Sequence, residues 1–259
     1  TLHDLNSPAS RGSKGAVSGP GKGDTTIELD GDNELKSGAD HAGLEHNKTD
    51  TSGELTIQDK DNNGSLEAAG GFKGAGIGSA GSNDAQVKIT GGNITATTSD
   101  DWGAGIGSGS YGTGTVEITG GEINATGGYL GAGIGGGCNG SGNVTISGGT
   151  ITAAGGDGAA GIGGGYYNGA TVTITGDAVI KNASSTKYGA GIGGGNGSDG
   201  NVTISGNAKI ENATGGYGAA GIGGGAFSSP DKIGNGNVVI KDNAKIDNVQ
   251  GGAYGAGIG

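Results

Sequence analysis

The chain of 259 residues is poor in large apolar side chains, with no Met, one Trp and two Phe. A globular core built from Leu, Phe and Met cannot be assembled from so few of them. Proline is also scarce, at three residues. The 68 glycines therefore do not belong to a collagen helix, which needs abundant proline and glycine at every third position. A stack of thin coils remains feasible, because each coil needs only a few small inward residues.

Basic residues and cysteine are also scarce. Arg11 is the only arginine and the net charge is −11. Binding of nucleic acid or of an anionic membrane depends on clusters of Lys and Arg, so we expect neither partner. No apolar run of 18 residues occurs, so we expect no membrane insertion. Cys138 is alone and cannot form an intrachain disulfide. Its glycine-rich neighbourhood would not activate the thiol, so we interpret it as a tolerated turn residue.

A long-range repeat is the strongest positive feature. A glycine-rich motif built around Gly-Ile-Gly occurs seven times, with spacings of 29, 28, 28, 30, 30 and 36 residues between its isoleucines. Those isoleucines are Ile77, Ile106, Ile134, Ile162, Ile192, Ile222 and Ile258. A fixed period of this size is typical of a solenoid, in which one supersecondary unit is stacked again and again.

One repeat, residues 143–165, contains three short stretches in which apolar residues alternate with polar or small ones. They are centred on Val144, Ile151 and Ile162, and glycine pairs separate them. Alternation with period two predicts strands, and the glycines predict turns. Three strands in about 28–30 residues predict an all-β chain that forms a parallel β-helix, right-handed by the general rule for parallel connections. A leucine-rich repeat is excluded, because only Leu130 of the eight leucines lies within the repeats.

Equivalent positions in successive repeats predict the register of the coils. Inward ladders are expected from three sets of residues besides the motif isoleucines. These are Val87, Val116, Val144, Val172, Val202 and Val238; Ile89, Ile118, Ile146, Ile174, Ile204 and Ile240; and Ile94, Ile123, Ile151, Ile180, Ile210 and Ile246. On the outward face, Lys88 is equivalent to Glu117 and Lys181 to Glu211, so opposite charges are expected to meet between neighbouring coils.

The composition changes along the chain and suggests three parts. Residues 1–23 are polar and are expected to form an irregular arm. Residues 24–68 are more charged and hold most of the leucine, and we interpret them as degenerate capping coils. Residues 69–259 are the repeat coils and stop inside the seventh motif. An uncovered strand edge at that end would favour self-association.

The order of motifs carries a family resemblance. Thr26–Gly38, Ala42–Leu44 and Gly53–Ile57 precede repeats of the type Gly-Ala-Gly-Ile-Gly-Gly-Gly. Over residues 24–259 this resembles glycine-rich repeat regions of large secreted and surface proteins of Gram-positive bacteria, gut species especially. Some related β-helical repeats occur in adhesin-like or carbohydrate-binding surface proteins. Gly74–Gly78 and Gly103–Gly107 depart from the pattern, since serine follows them. The resemblance implies no catalytic residue.

Aromatic side chains give the most specific candidate site. All ten lie within five residues of a motif isoleucine. One series precedes the motif and comprises Phe72, Trp102, Tyr129, Tyr188, Tyr217 and Tyr254, with Asp157 in the equivalent place of one coil. The other follows the motif and comprises Tyr111, Tyr166, Tyr167 and Phe227. Stacked coils would arrange them as two broken rows beside a glycine-paved strip that could hold a glycan. Alternatively, the rings stack on one another and shield the thin core.

Other clusters have simpler interpretations. The segment 59–64 begins like a calcium-binding loop but has Gly70 where that loop needs Glu, so we expect a turn, as we do at residues 30–33. The carboxylates are scattered, and His3, His41 and His46 lack the spacing of metal ligands. The sequence therefore predicts no catalytic residue, no metal site and no cofactor. Outward hydroxyls at Thr145, Thr171, Thr173, Thr175, Thr203, Ser147 and Ser205 form an interrupted array.

These observations favour a non-catalytic β-solenoid, secreted or on a bacterial cell surface. It would serve as an adhesin or spacer module and would carry a shallow carbohydrate-binding strip. The alternative is a purely structural stalk or a self-associating fibre. An ice-binding protein or a fragment of a polysaccharide-active enzyme is the third hypothesis. Host or cell-surface glycans are the expected partners.

Overall fold

The fold is a right-handed parallel β-helix, as the repeat predicted. The computed structural model describes residues 1–8, 15–19, 23–48, 53–98, 102–227 and 233–259. Within these residues every strand pairs in parallel with its equivalent in the next coil, and three sheets run along the stack. In that part of the chain, no helix is long and apolar enough to cross a membrane.

The chain visits the three sheets in the same order in each coil. The strands of the first sheet are Leu2–His3, Thr25–Asp30, Leu55–Gln58, Ala85–Ile89, Gly114–Ile118, Gly142–Ile146, Ala170–Ile174, Gly200–Ile204 and Gly236–Ile240. Those of the second sheet are Asn6–Ser7, Asp32–Lys36, Ser65–Gly70, Asn93–Thr98, Glu122–Thr126, Thr150–Gly155, Val179–Ser185, Lys209–Thr214 and Lys245–Gln250. Those of the third sheet are Val17–Ser18, Leu44–Glu45, Ile77–Gly78, Ile106–Gly107, Ile134–Gly135, Ile162–Gly163, Ile192–Gly193 and Ile222–Gly223.

The predicted ladders form the core. Val116 pairs with Val144, Ile123 with Ile151, and Ile134 with Ile162 in the three sheets. The motif isoleucines from Ile77 to Ile222 are completely buried. β-Branched side chains suit these positions because they pack well on a pleated surface. No aromatic residue belongs to the core of the described chain, so the aliphatic ladders close it by themselves.

Glycine is required in the third sheet because the backbones of successive coils approach closely. Gly135 has φ +131°, and a Cβ atom there would lie 2.1 Å from the carbonyl oxygen of Gly163. That is far inside van der Waals contact, and the φ value is one that other residues rarely adopt. The high glycine content therefore follows from the stacking of the coils.

The change in repeat length from 28 to 30 residues has two local causes. The turn between the first and second sheets is one residue longer between Ile174 and Ile180 than between Ile146 and Ile151. A β-bulge then shifts the register of the second sheet at the same coil and inserts Lys181 as an extra residue. Ile180 and Ala183 still pair with Ile151 and Ala153, so the inward ladders continue without interruption.

One of the two predicted ion pairs is wrong. Lys88 and Glu117 pair as expected, with 3.0 Å between Nζ and Oε1. Lys181 and Glu211 keep equivalent positions, since Ile180 pairs with Ile210 and Ala183 with Ala213. The Lys181 ammonium group nevertheless lies 3.9 Å from Glu122, and Glu211 accepts a hydrogen bond from Lys209.

The first residues differ from the expected irregular arm. Leu2 pairs with Leu29, Asn6 with Glu34 and Val17 with Leu44, so the described parts of residues 1–23 contribute a short strand to each sheet. Leu2 is itself almost buried, and it extends the core by one layer. Residues 9–14 and 20–22 of the expected arm lie outside the described residues.

The last coil exposes its apolar residues. Ile240 and Ile258 are 41% and 45% exposed, whereas their equivalents Ile204 and Ile222 are completely buried. Ile258 still forms a bridge with Ile222, so the register continues to that point.

Candidate functional site

Two loops flank the third sheet and meet above its outer face. The loop before the sheet in one coil is hydrogen-bonded to the loop after the sheet in the next coil. Tyr166 N–H donates to the carbonyl oxygen of Leu130 at 3.1 Å, and Asn196 N–H donates to that of Gly158 at 2.6 Å. These bonds fold both loops over the short strands and fix the positions of the side chains that they carry.

The glycines of the motif are buried beneath these loops. Gly133, Gly135 and Gly137 have no substantial exposure. A Cβ atom on Gly136 would lie 2.0 Å from the carbonyl oxygen of Gly140, because the loop after the sheet turns back tightly. The expected glycine-paved surface strip is therefore wrong. The outermost surface on this side consists of the loop tips and of the aromatic residues on them, a surface that we call the aromatic edge.

The aromatic edge begins with a cluster in the early coils. Trp102 lies 5.2 Å from Phe72 and 6.5 Å from Tyr111 between ring centroids. The Lys73 ammonium group lies 5.4 Å from the centroid of Phe72 and 5.8 Å from that of Trp102. Phe72 and Trp102 precede the motif and Tyr111 follows it, so the two predicted rows make contact here.

Two further clusters lie along the later coils. Tyr217 is in edge contact with Tyr188 at 6.3 Å and with Tyr254 at 5.6 Å. Tyr167 contacts Tyr166 and lies 5.7 Å from Phe227. The rings thus contact one another, mostly in tilted or edge-on geometry, and among the described residues only Tyr167 and Phe227 are stacked. They also remain accessible, since Tyr217 is 54% exposed and Tyr254 90% exposed.

A gap in the first row produces a groove in the middle of the aromatic edge. Asp157 occupies the place that an aromatic residue fills in the other coils, and Gly158 follows it. The groove has a volume of about 280 Å³. Its lining residues are Tyr129, Leu130, Asp157, Tyr166, Lys187, Tyr188 and Asn196. We call it the gap groove. Three tyrosines from both rows therefore surround a single carboxylate.

The carboxylate of the gap groove is held by three donors. Asp157 forms an ion pair with Lys187 and accepts a hydrogen bond of 2.9 Å from the Thr186 hydroxyl. Burial alone would raise the pKa of Asp157, but the hydrogen bonds from Lys187, Thr186 and Tyr129 outweigh it, so the pKa lies below its usual value. The hydrogen bond between Lys187 and Asp157 also raises the pKa of Lys187. The groove therefore presents a fixed carboxylate whose charge is locally compensated.

Tyr166 and Asn196 close the groove on the opposite side. Both lie against Gly158, where an added Cβ atom would be 2.5 Å from the Tyr166 ring and 3.2 Å from the Asn196 Cβ. Burial raises the pKa of Tyr166 to about 12, with a further contribution from its hydrogen bond of 2.9 Å to Tyr167. Asn196 is 2% exposed, and its Oδ1 has no hydrogen-bond partner among the described residues.

Part of the residue set that lines this groove is predictable from the sequence. Tyr129, Tyr166 and Tyr188 were predicted as ligand-binding residues, and Asp157 was recognised as the interruption of the row. Leu130, Lys187 and Asn196 were missed. The equivalent place, four residues after the motif isoleucine, holds Ser110, Cys138, Tyr166 or Ala226 in other coils. A residue set this varied gives no signal that would have identified Asn196 from the sequence.

Two other candidates have structural explanations. Carboxylate oxygens of Glu28, Asp59 and Asp61 lie within 4.8 Å of one another, at the turn that resembles a calcium loop. Asp59 accepts hydrogen bonds from the N–H groups of Asn63 and Gly64. The N–H group of Lys60 donates to Glu28 and lowers the pKa of that carboxyl. These bonds are those of an ordinary turn.

The hydroxyl array lies on the outer face of the first sheet. Thr145 pairs with Thr173, and Thr173 pairs with Thr203. Glu117 precedes Thr145 in the same row, so the row of hydroxyls is interrupted by charge as predicted. Threonine is also a favourable residue on an exposed strand, which accounts for the array without a ligand.

Comparison with known proteins agrees with this architecture. Residues 87–110, 116–138, 144–166 and 202–226 match the family model described as Beta helix repeat. This part of the chain is a β-helical repeat region. Each matched segment begins in a first-sheet strand and ends in the loop after the third sheet, so one match covers all three strands of a coil. Neither the curated proteins nor the solved structures gave a match.

Proposed function

We propose that the chain is a non-catalytic β-solenoid module that binds carbohydrate through its aromatic edge. In this role it would act as an adhesin or spacer, secreted or displayed on a bacterial cell surface. The observation that carries the proposal is the position of the aromatic residues. They take no part in the core, and they are concentrated on the loop tips along one side of the stack.

The chemistry of the aromatic edge suits a sugar. Aromatic faces offer flat apolar area, and the tyrosine hydroxyls provide polar groups beside it. Sugars present apolar ring faces bordered by hydroxyl groups, so both parts of the surface are matched. Tyr111, Tyr129 and Tyr217 are each more than half exposed, and their rings are available without rearrangement of the core.

A glycan array tests the proposal. The purified chain should bind at least one class of glycan, and the double variant Tyr188→Ala with Tyr217→Ala should lose that binding. Thr171→Ala, on the outer face of the first sheet, is the matched control and should bind like the wild type. Absence of binding to every glycan, or full binding by the double variant, would refute the proposal.

A further inference from the structure

The gap groove is lined by a residue that carries a buried polar atom without a partner among the described residues. An unpaired buried acceptor costs about 1–3 kcal/mol, and buried polar groups in proteins are hydrogen-bonded in the great majority of cases. Asn196 lines the groove, and its Oδ1 lacks a partner among the described residues. A ligand that donates a hydrogen bond at this point would supply the missing interaction.

The size of the groove limits the ligand. Its volume of about 280 Å³ falls just below the range of about 300–1,000 Å³ that is typical of small-molecule sites. One sugar ring fits this space better than a larger molecule. Tyr129 and Tyr188 come from coils on either side of the Asp157 gap, so ring faces are available at both ends of the groove.

The charges in the groove favour a neutral ligand. Lys187 is the only cation among its lining residues, and its charge is paired with Asp157. The chain as a whole carries a net charge of −11, which repels an anionic ligand at long range. Asp157 and Asn196 both supply acceptor oxygens. The matching chemistry is therefore a polyhydroxylated ring without a carboxylate, sulfate or phosphate group.

We propose that the gap groove binds one neutral pyranose unit of a glycan, with the sugar ring against Tyr129 or Tyr188 and its hydroxyl groups donating to Asp157 and Asn196. This rests on the proposed carbohydrate-binding function and names the site and the sugar class. The Oδ1 of Asn196 is enclosed, so the ligand reaches it only if a side chain that lines the groove moves.

A titration of the ¹⁵N-labelled chain tests this proposal. The probes are the methyl glycosides of glucose, galactose and mannose, with methyl glucuronide as the charged comparison. At least one neutral glycoside should shift the side-chain amide resonance of Asn196 and the backbone resonances of residues 157 and 188, while the glucuronide binds more weakly. A preference for the glucuronide, or shifts confined to other residues, would overturn the proposal.

Single variants then separate this groove from the rest of the aromatic edge. Tyr188→Ala and Asn196→Ala should each weaken binding by at least about tenfold, the factor that corresponds to 1.4 kcal/mol. Thr173→Ala on the first sheet should have no effect. Asn196→Asp keeps the size of the side chain. Its circular dichroism spectrum shows whether the fold tolerates a change at this position, so loss of binding that is caused by a fold defect can be recognised.

The outcome also distinguishes failure of the groove from failure of the function. If glycans bind and Tyr254→Ala weakens binding while Tyr188→Ala and Asn196→Ala do not, carbohydrate binding stands and the gap groove is refuted. If no glycan on the array and no glycoside binds, both proposals fall together. Retention of wild-type affinity in Asn196→Ala alone refutes the role of the unpaired oxygen.

Discussion

Replacement of Ile134 by alanine should strongly destabilise the solenoid. Ile134 is completely buried, and it pairs with Ile106 and Ile162 in the third sheet. The substitution removes three carbon groups, and each buried group contributes about 0.8 kcal/mol of transfer free energy. That gives about 2.4 kcal/mol before any cavity forms. The glycine backbone around the site is already in close contact and cannot collapse into the space. The loss should therefore lie in the upper half of the range of about 2–5 kcal/mol that such substitutions cost.

Ile258→Ala is the matched control, because it changes the same motif position in the last coil. Ile258 is 45% exposed, so its substitution loses only about half of the transfer free energy and leaves no closed cavity. We expect a loss of about 1 kcal/mol. Urea denaturation followed by circular dichroism measures both variants, with an unchanged slope as the sign that the same surface unfolds. Equal losses for Ile134→Ala and Ile258→Ala, or a loss below about 0.5 kcal/mol for Ile134→Ala, would refute the inward ladder.

Three further predictions concern glycine, cysteine and Asp157. Gly135→Ala should prevent folding or cost several kcal/mol, because its Cβ would lie 2.1 Å from a carbonyl oxygen. Gly23→Ala is the control: an added Cβ there has nothing within 4 Å and should change the urea midpoint little. Similar midpoints for the two variants would contradict the close stacking of the coils. Burial raises the pKa of the Cys138 thiol to about 11. Iodoacetamide at pH 8 should therefore modify Cys138 only after the chain unfolds. Rapid modification of the native chain would contradict this burial. The pKa of Asp157 is lowered in the fold, so its ionic contribution to stability is present above the ordinary Asp value of about 3.9 and is lost as pH falls below it. Asp157→Asn should therefore lower the urea midpoint at pH 7, and this difference should shrink as the pH falls below about 3.9; a pH-independent difference would contradict the sign.

The repeat was sufficient to predict the core. Inward isoleucine and valine positions follow from period-two alternation, and their stacking follows from the constant spacing of the motif. Ile134, Ile151 and Val144 all occupy the ladders expected of them. These positions are predictable because a slip of one residue would expose the whole apolar set to water.

Other features depend on contacts that no local pattern records. Counting places Lys181 opposite Glu211, but the ion pairs that form are Lys181 with Glu122 and Lys209 with Glu211. The burial of Gly133 and Gly137 results from hydrogen bonds between loops of successive coils. Glycine has little conformational preference of its own, so a run of glycines does not predict whether a loop extends outward or folds over the sheet.

The candidate site was predictable in its residue types but not in its shape. The tyrosine rows and their interruption at Asp157 are visible in the sequence. The gap groove also needs Lys187 to pair with Asp157, and it needs Asn196 to lie against Gly158. Both relationships join residues about 30–40 positions apart, and they depend on the loop conformation that the glycines leave undetermined.

Filling the gap in the aromatic row is the most direct test of the central claim that this row presents a sugar-binding groove at Asp157. Calorimetric titration with the best neutral glycoside should compare the wild type, Asp157→Tyr and Asp157→Asn. Tyrosine restores the residue type of the other coils and occupies the groove, whereas asparagine keeps the space. We predict that Asp157→Tyr folds, with a urea midpoint lowered at pH 7 as in Asp157→Asn, and no longer binds, while Asp157→Asn binds more weakly than the wild type but measurably. Wild-type affinity in Asp157→Tyr would contradict it.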